Sequence, residues 1–518
     1  MHEFLTTETI VVILLLVISL VAIAVTRLRI PYTVALVLVG LGMSSQQSIA
    51  INLTPELILA LFVPPLVFQA AFHLTADELW RNLPSILMLA VPGVVVTTLV
   101  IGGIVALSGW QTLPIALIFG ALISATDPVA VVALFRALRV PKRLAVLVEG
   151  ESLLNDGTAI VIFNIVLAIA LTGQFNPLQG IADFVRVSLV GTLIGLMLGW
   201  VTSRLIARID NYLIETTLTT VLAYGAYVSG EWLGVSGVLA VVAAGLVCGN
   251  LGPKGMSPTT RIVLFNFWEY VAFIANSLVF LLIGLQVNIP ALASAWAPIL
   301  WSIVAVLVSR VVVIYGLGWL ISRLFDEPVP VKWQHVLTWG GLRGAISFAL
   351  VLSLPMELGD AQNRLLRVMT FGVVLFTLLI QSTTMAKLLQ WLRIETKSET
   401  QDEYEMRHAR VVAMRASAEH LQRLHREGLL STHAWEILKR ETEQQIETLS
   451  SEMRKMLLAA PKLEAEEIDN ARRELLRAQR SALIGLRRDG VISEEAFEQL
   501  AAEVDTGLVS TESSEPKY

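Results

Sequence analysis

Three short stretches of this chain set ionisable and polar side chains into otherwise apolar sequence, and their chemistry suits a small hard cation. The first, GESLLNDG, runs from Gly150 to Gly157 and holds Glu151, Ser152, Asn155 and Asp156. Glu151 and Asn155 are four apart, as are Ser152 and Asp156, so on a helix the two pairs stack on adjacent strips of one face. Two carboxylates, a hydroxyl and an amide then share a broad polar face. Oxygen donors suit a hard cation, and a carboxylate in such a place can trade a metal ion for a proton.

The second stretch, ATDPVAVVALF, carries Thr126, Asp127 and Pro128 near the middle of an apolar run. A proline removes one backbone hydrogen bond and disfavours helical geometry at the residue before it, so the helix is expected to break at Asp127. Breaks expose carbonyls and helix-end dipoles, which at membrane depth are tolerated where they line a site. The third, GGLRGAISF, surrounds Arg343 with Gly340, Gly341 and Gly344 and reads as a second interrupted helix. Arg310 and Arg343 stand in mid-span and read as structural counter-charges. Set against Asp127, Glu151 and Asp156, they leave one negative charge for a monovalent cation or a proton. Arg310 is the first choice as partner of Glu151, and Arg343 the alternative.

Lesser positions carry weaker signals. Gln69, after Pro64 and Pro65, is a candidate to reach the site. Glu149 reads as a group near the membrane surface. Glu269, Asn276 and Ser347 read equally well as pathway lining and as helix-to-helix hydrogen-bonding groups. His73 and His335 fall at span ends and read as interfacial.

The elements that must hold these residues follow from composition. Of the 518 residues, 55% are hydrophobic and 16% charged, against roughly 45–50% and about 25% in soluble domains, which argues against an ordinary soluble enzyme. Residues 1 to 400 hold 41 charged side chains and residues 401 to 518 hold 40, so the chain divides into an apolar part, 1–393, and a polar part, 394–518. The apolar part contains thirteen runs long enough for a bilayer core about 30 Å thick. They start near Glu8, Pro31, Pro55, Pro84, Thr112, Arg143, Gly180, Tyr212, Trp232, Ile262, Ala297, Trp333 and Leu365. The first run has an acidic front and no cleavage pattern, so it reads as a mature helix and not a signal peptide. With the N-terminus outside, 16 of the 21 Lys and Arg of residues 1 to 400 fall on the cytoplasmic side, and an odd number of spans then puts the C-terminus inside. If spans two to seven and eight to thirteen are six-helix repeats, the two interrupted helices occupy corresponding places, the pattern of a secondary transporter with inverted repeats. The fold expected is therefore an all-α polytopic membrane protein. A net charge of −5 gives no support for nucleic-acid binding, and Cys248, alone, allows neither an intramolecular disulfide nor a Cys-based metal site.

At ATDPVAVVALF, GESLLNDG and GGLRGAISF, in this order and over about 390 residues, the chain resembles the monovalent cation:proton antiporters of the branch that includes bacterial sodium/proton antiporters and animal sodium/proton exchangers. The resemblance implies thirteen spans, a homodimer, a core domain moving against a dimerisation domain, and electroneutral exchange of one Na+ for one H+ in the cell (inner) membrane, with no cofactor. Carried over by residue, Asp156 is the carboxylate that binds either ion. Thr126 offers its backbone carbonyl, Asp127 and Ser152 complete the ion shell, and Asn155 marks the branch. Glu151 and an arginine form a structural ion pair. The family's archaeal members resemble this chain at FVPPLVFQAAF but carry a Glu where it has Gln69, which bears on ion preference and pH profile. Li+ in place of Na+, and a K+/H+ antiporter on the same scaffold, are alternatives for the ion.

The polar part has Glu, Arg, Leu and Ala at helical spacing and reads as helices. HREGLLSTHAWEIL, from His425, and RRDGVISEEAFEQL, from Arg487, align at an offset of 62. Each reads as a helix ending near a Gly and a new one capped by Ser431 or Ser493, giving two helical hairpins. A cytoplasmic regulatory role and a solubilising or dimer-supporting role both fit. Two further classes fit the sequence less well. A cation channel gated by the tail lacks a filter-like glycine signature. An enzyme would need more than Gly150-Glu151-Ser152, which lacks the second Gly of a nucleophile elbow.

Overall fold

The computed structural model describes residues 2–28, 31–46, 55–138, 140–174, 176–209, 211–287, 289–325, 328–394, 399–459, 461–488 and 491–513. Among these every regular element is helical. Arg29, Arg139 and Lys397, three of the 16 basic residues counted above as cytoplasmic, and Gly490 of the second tail turn lie outside them. Contacts divide the chain into two units, Met1–Thr396 and Lys397–Tyr518.

The first unit contains α1 (His2–Leu28), α2 (Tyr32–Gln46), α3 (Pro55–His73), α4 (Ala76–Ala90), α5 (Pro92–Leu107), α6 (Leu113–Ser124), α7 (Val129–Leu138), α8 (Lys142–Thr172), α9 (Pro177–Ile206), α10 (Tyr212–Trp232), α11 (Gly237–Leu251) and α12 (Pro258–Gln286). It continues with α13 (Ile289–Ser294), α14 (Trp296–Leu324), α15 (Val331–Trp339), α16 (Ala345–Leu352), α17 (Asp360–Phe376), a π turn at Thr377–Gln381, and α18 (Ser382–Trp391). Seven helical segments among the described residues are long and apolar enough to cross a membrane, and four shorter apolar helices accompany them.

Small residues let these helices approach closely, as expected where lipid removes the hydrophobic incentive to associate. On α9, Gly191, Gly195 and Gly199 recur every fourth residue, and a Cβ at any of them would meet the backbone of Ser236, Ala240 or Ala244 along α11. Gly40 of α2 and Gly284 of α12 lie back to back in the same way.

Two boundaries correct the sequence reading. The fourth run does not begin at Pro84, which lies inside α4. The helix starts at Ala76, with Asp77 and Glu78 in its first turn, where acidic side chains complement the helix dipole. The ninth does not begin at Trp232, which ends α10. A turn through Gly234 (φ 66°) follows, and the Ser236 hydroxyl caps α11 by accepting from Leu239 N at 3.2 Å.

Both helix interruptions are present. Between α6 and α7 the chain is non-helical over Ala125–Pro128, and between α15 and α16 over Gly340–Gly344. The two breaks touch, because the Asp127 amide donates to the Leu342 carbonyl at 2.8 Å.

The second unit contains α19 (Glu399–Arg426), α20 (Thr432–Ala459), α21 (Pro461–Arg488) and α22 (Glu494–Ser513), with α19 packed on α20 and α21 on α22. The two turns repeat one design at the offset of 62. Leu429 N donates to Leu424 O at 3.0 Å, and Val491 N to Leu486 O at 2.9 Å. Ser431 and Ser493 cap the next helices through Ala434 N and Ala496 N, both at 3.3 Å. His425 stacks on Trp435, ring centroids 4.5 Å apart, and the Arg487 guanidinium lies 4.4 Å from the centre of the equivalent Phe497 ring. Gly428, at φ 75°, takes the left-handed turn that a side chain would strain.

Candidate ion-binding site

The site is assembled where α6 stops. A helix end leaves its last carbonyls without intrahelical partners, and here side chains from two other helices supply them. Asn155 of α8 donates to the Ser124 carbonyl at 3.2 Å and to Thr126 Oγ1 at 3.1 Å. The Ser152 hydroxyl donates to the Thr126 carbonyl in a short hydrogen bond. Ser347 of α16 reaches the Ala125 carbonyl at 3.5 Å. The i, i+3 spacing of Ser152 and Asn155 makes this possible from a single helix face.

On the other side of the break, Asp127 Oδ1 accepts from Val129 N at 3.0 Å and caps α7. A Cβ on Gly344 would collide with the Asp127 carboxylate, so the glycine run beside Arg343 makes room for a charged group. Asp156 lies one turn beyond Ser152 on α8. Among the described residues its carboxylate is held by no hydrogen bond or ion pair, and it lines, with Asp127, Thr126 and Ser152, a cavity of about 770 Å³. Two carboxylates, a hydroxyl and a threonine thus converge on one space, oxygen donors of the kind a hard monovalent cation takes. Asn155 is buried behind this shell, with Oδ1 unpartnered.

The structural charges sort themselves clearly. Arg310 of α14 donates from Nη1 to Glu151 Oε1 at 2.6 Å and from Nη2 to the Leu337 carbonyl at 2.5 Å, and both side chains are buried. Gly341 admits this arginine, since a Cβ there would lie 2.6 Å from Arg310 Nε. Arg343 is 0% exposed, and its guanidinium has no hydrogen-bond partner among the described residues; its backbone amide donates to Thr377 Oγ1 in the π turn at 3.2 Å. Glu151 therefore pairs with Arg310 and not with Arg343.

Gln69 of α3 also lines the cavity, with Nε2 3.4 Å from His73 Nδ1. Glu149, Glu269, Asn276 and Ser347 line it too. Glu149 is 3.9 Å from Arg136. His73 ends α3, is half-buried, bonds the Gln69 carbonyl at 2.8 Å and packs edge-on against Phe265. His335 is likewise engaged, by the Tyr315 hydroxyl.

Sequence reasoning missed the Leu342 carbonyl and the π turn, because backbone groups leave no signature in residue type. It also missed Tyr32, which lines the cavity, hydrogen-bonds Ser277 at 2.9 Å and stacks on Phe273 at 5.3 Å. An aromatic at the start of an apolar run resembles the ordinary interfacial belt.

Known proteins place this geometry. The chain is 46% identical over 365 residues, 70% of either chain, to the Na(+)/H(+) antiporter ApNhaP of Aphanothece halophytica. It is 35% identical over 494 residues to the Na(+)/H(+) antiporter NhaG of Bacillus atrophaeus, covering 92% of this chain and 93% of that one, so that match runs into the helical tail. In fold it is similar to the sodium proton antiporter MjNhaP1 of Methanocaldococcus jannaschii at pH 8, with a TM-score of 0.63 over 76% of this chain and all of the other, at 19% identity. The family model described as sodium/hydrogen exchanger, transmembrane, matches residues 12–391, which contain both helix breaks and every residue of the site. The chain belongs to the transmembrane sodium/hydrogen exchanger family.

Proposed function

We propose that this chain is an electroneutral antiporter of the cell (inner) membrane that exchanges one Na+, or Li+, for one H+, with both ions competing for Asp156. The observation that carries the reading is a carboxylate with no partner among the described residues, set in the cavity beside Asp127, the Thr126 carbonyl and the Ser152 hydroxyl. Two of the neighbouring carboxylates are already committed. Glu151 is neutralised by Arg310, and Asp127 is tied to the amide that starts α7.

Competition for one group is sufficient to couple two fluxes. Ionised Asp156 takes Na+ with Thr126, Asp127 and Ser152 as further ligands; protonated Asp156 carries H+. The unloaded, charged form crosses the apolar barrier slowly, because an ionised group there costs on the order of 2.5–3.5 kcal/mol or more. Each ion then moves in exchange for the other, and the same number of charges goes each way. The movement we infer is an elevator-like alternating access, in which the helices around the two breaks shift against α3 and α12. The remaining architecture we propose is thirteen spans with inverted six-helix repeats, the N-terminus outside, the C-terminal helices in the cytoplasm, and a homodimer. Neither an enzymatic step nor a cofactor enters the cycle. Potassium is the alternative ion; the similarity to sodium/proton antiporters favours sodium.

The experiment is dye-monitored pH recovery in proteoliposomes of the purified protein, with Na+, Li+ or K+ added in turn and the membrane potential set by valinomycin. Recovery with Na+ and Li+ that ignores the potential is the expected result. Recovery confined to K+ would transfer the protein to the potassium reading, and dependence on the potential would refute the single-carboxylate stoichiometry.

A further inference from the structure

Glu149 and Glu269 stand outside the ion shell proposed around Asp156, and yet both line the same cavity. Their placement follows a pattern on each wall. On α8, Glu149, Ser152 and Asp156 fall at i, i+3 and i+7, one face of a helix, with Glu149 about 10 Å from Asp156 along the axis. On the facing wall, α12 presents Glu269, Phe273 and Asn276 at i, i+4 and i+7, and all three line the cavity. Each wall therefore carries a carboxylate nearer the helix start and an uncharged polar group deeper. The starts of α8 and α12 are marked by Lys142, Arg143 and Arg261, the side that the distribution of basic residues makes cytoplasmic.

Glu149 makes one long ion pair, 3.9 Å, with an Arg136 that is itself largely exposed, and no hydrogen bond fixes the two together. Glu269 has no ion pair among the described residues, and it interacts electrostatically with His73. Most of the remaining cavity wall is apolar, including Val63, Leu66, Val67, Leu134 and Phe273. Carboxylates on low-dielectric walls focus the field along a cleft and raise the local concentration of the opposite ion.

We propose that Glu149 and Glu269 are capture residues: they gather monovalent cation at the cytoplasmic mouth of the cavity and deliver it down the α8 ladder to Asp156. They set the half-saturating cation concentration from that side and leave the exchange step to the inner shell. This rests on the antiporter reading given above.

The test uses the full chain in everted membrane vesicles, with Na+ added at the cytoplasmic face and proton movement followed by dye. At low ionic strength the Glu149→Gln/Glu269→Gln variant raises half-saturating Na+ by about threefold or more, while the maximal rate changes by less than about twofold. Choline chloride at about 0.5 M closes most of that gap, since it shortens the screening length to a few Å. Glu149→Asp and Glu269→Asp restore the wild-type value. Should the double variant fail to fold, each single Gln variant is read by the same two quantities and raises half-saturation by a smaller factor. An unchanged half-saturation at low salt, or a lost maximal rate at unchanged half-saturation, overturns the assignment. A wild type without any cation-dependent proton flux instead overturns the antiporter reading itself.

Discussion

Asp156 and the Glu151–Arg310 pair stand side by side on α8 but answer to different physics. Asp156 has no partner among the described residues, so replacing it removes chemistry and little structure. We expect Asp156→Asn to abolish sodium-dependent proton flux in proteoliposomes while its size-exclusion profile and thermal unfolding in detergent stay close to wild type. Arg310 is the opposite case. Removing it leaves Glu151 buried and uncompensated, which costs about 3–5 kcal/mol, so Arg310→Gln is expected to lower the unfolding temperature sharply, and the Glu151→Gln/Arg310→Gln double variant to recover much of the loss. An equal loss in both would mean that the pair does not compensate itself. At this scale much of the site was legible in the sequence, because a carboxylate in an apolar run has few explanations. What was not legible was the choice between Arg310 and Arg343. Both lie in mid-span, and the distance to Glu151 depends on where α14 crosses α8, which neither local sequence records. Glu149, Glu269 and Asn276 were ambiguous for the same reason, since helical spacing tells which residues share a face but not what the face looks at.

The breaks between α6 and α7 and between α15 and α16 were readable from Pro128 and from the cluster of Gly340, Gly341 and Gly344, residues whose backbone preferences act locally. Their mutual contact was not, being a bond between two main chains 215 residues apart, Asp127 N to Leu342 O. The glycines have separate duties that substitution can resolve. Gly344→Ala puts a methyl group into the Asp127 carboxylate, and we expect it to cut the exchange rate by an order of magnitude or more, since roughly 1 Å of misplacement in a reacting constellation costs about 100-fold. Gly195→Val instead drives a side chain into the Ala240 carbonyl of α11. We expect it to lower the unfolding temperature by a larger margin than Gly344→Ala does. Helix starts were the weakest part of the reading. The turn before Pro84 is amphipathic and polar at its head, so a search for apolar runs begins too late.

Over the whole molecule, the two compact units divide the work. The family match ends at residue 391, and every group placed in or around the ion site lies before Thr396. A chain ended after Lys397 is therefore expected to retain cation-coupled proton flux in proteoliposomes, and its complete loss would show that the site depends on the tail. A shift in the pH profile at preserved maximal rate would assign the tail a regulatory part. The tail's duplication was visible in sequence because the Ser caps and the aromatic at their fourth position act within a few residues. That His425 rests on Trp435 where Arg487 rests on Phe497 depends on side-chain packing across each turn, which residue spacing does not record.

The hydrogen bond between the two interrupted helices has a mechanical consequence. A hinge normally allows the segments on either side of it to tilt separately, but here each hinge is fastened to the other at its midpoint, with the Asp127 carboxylate wedged against Gly344. The four half-helices α6, α7, α15 and α16 thus share their degrees of freedom, and a force applied to any one of them is felt at Asp127. In the elevator-like movement proposed above, the carboxylates travel with both hinges at once, as a single piece of machinery.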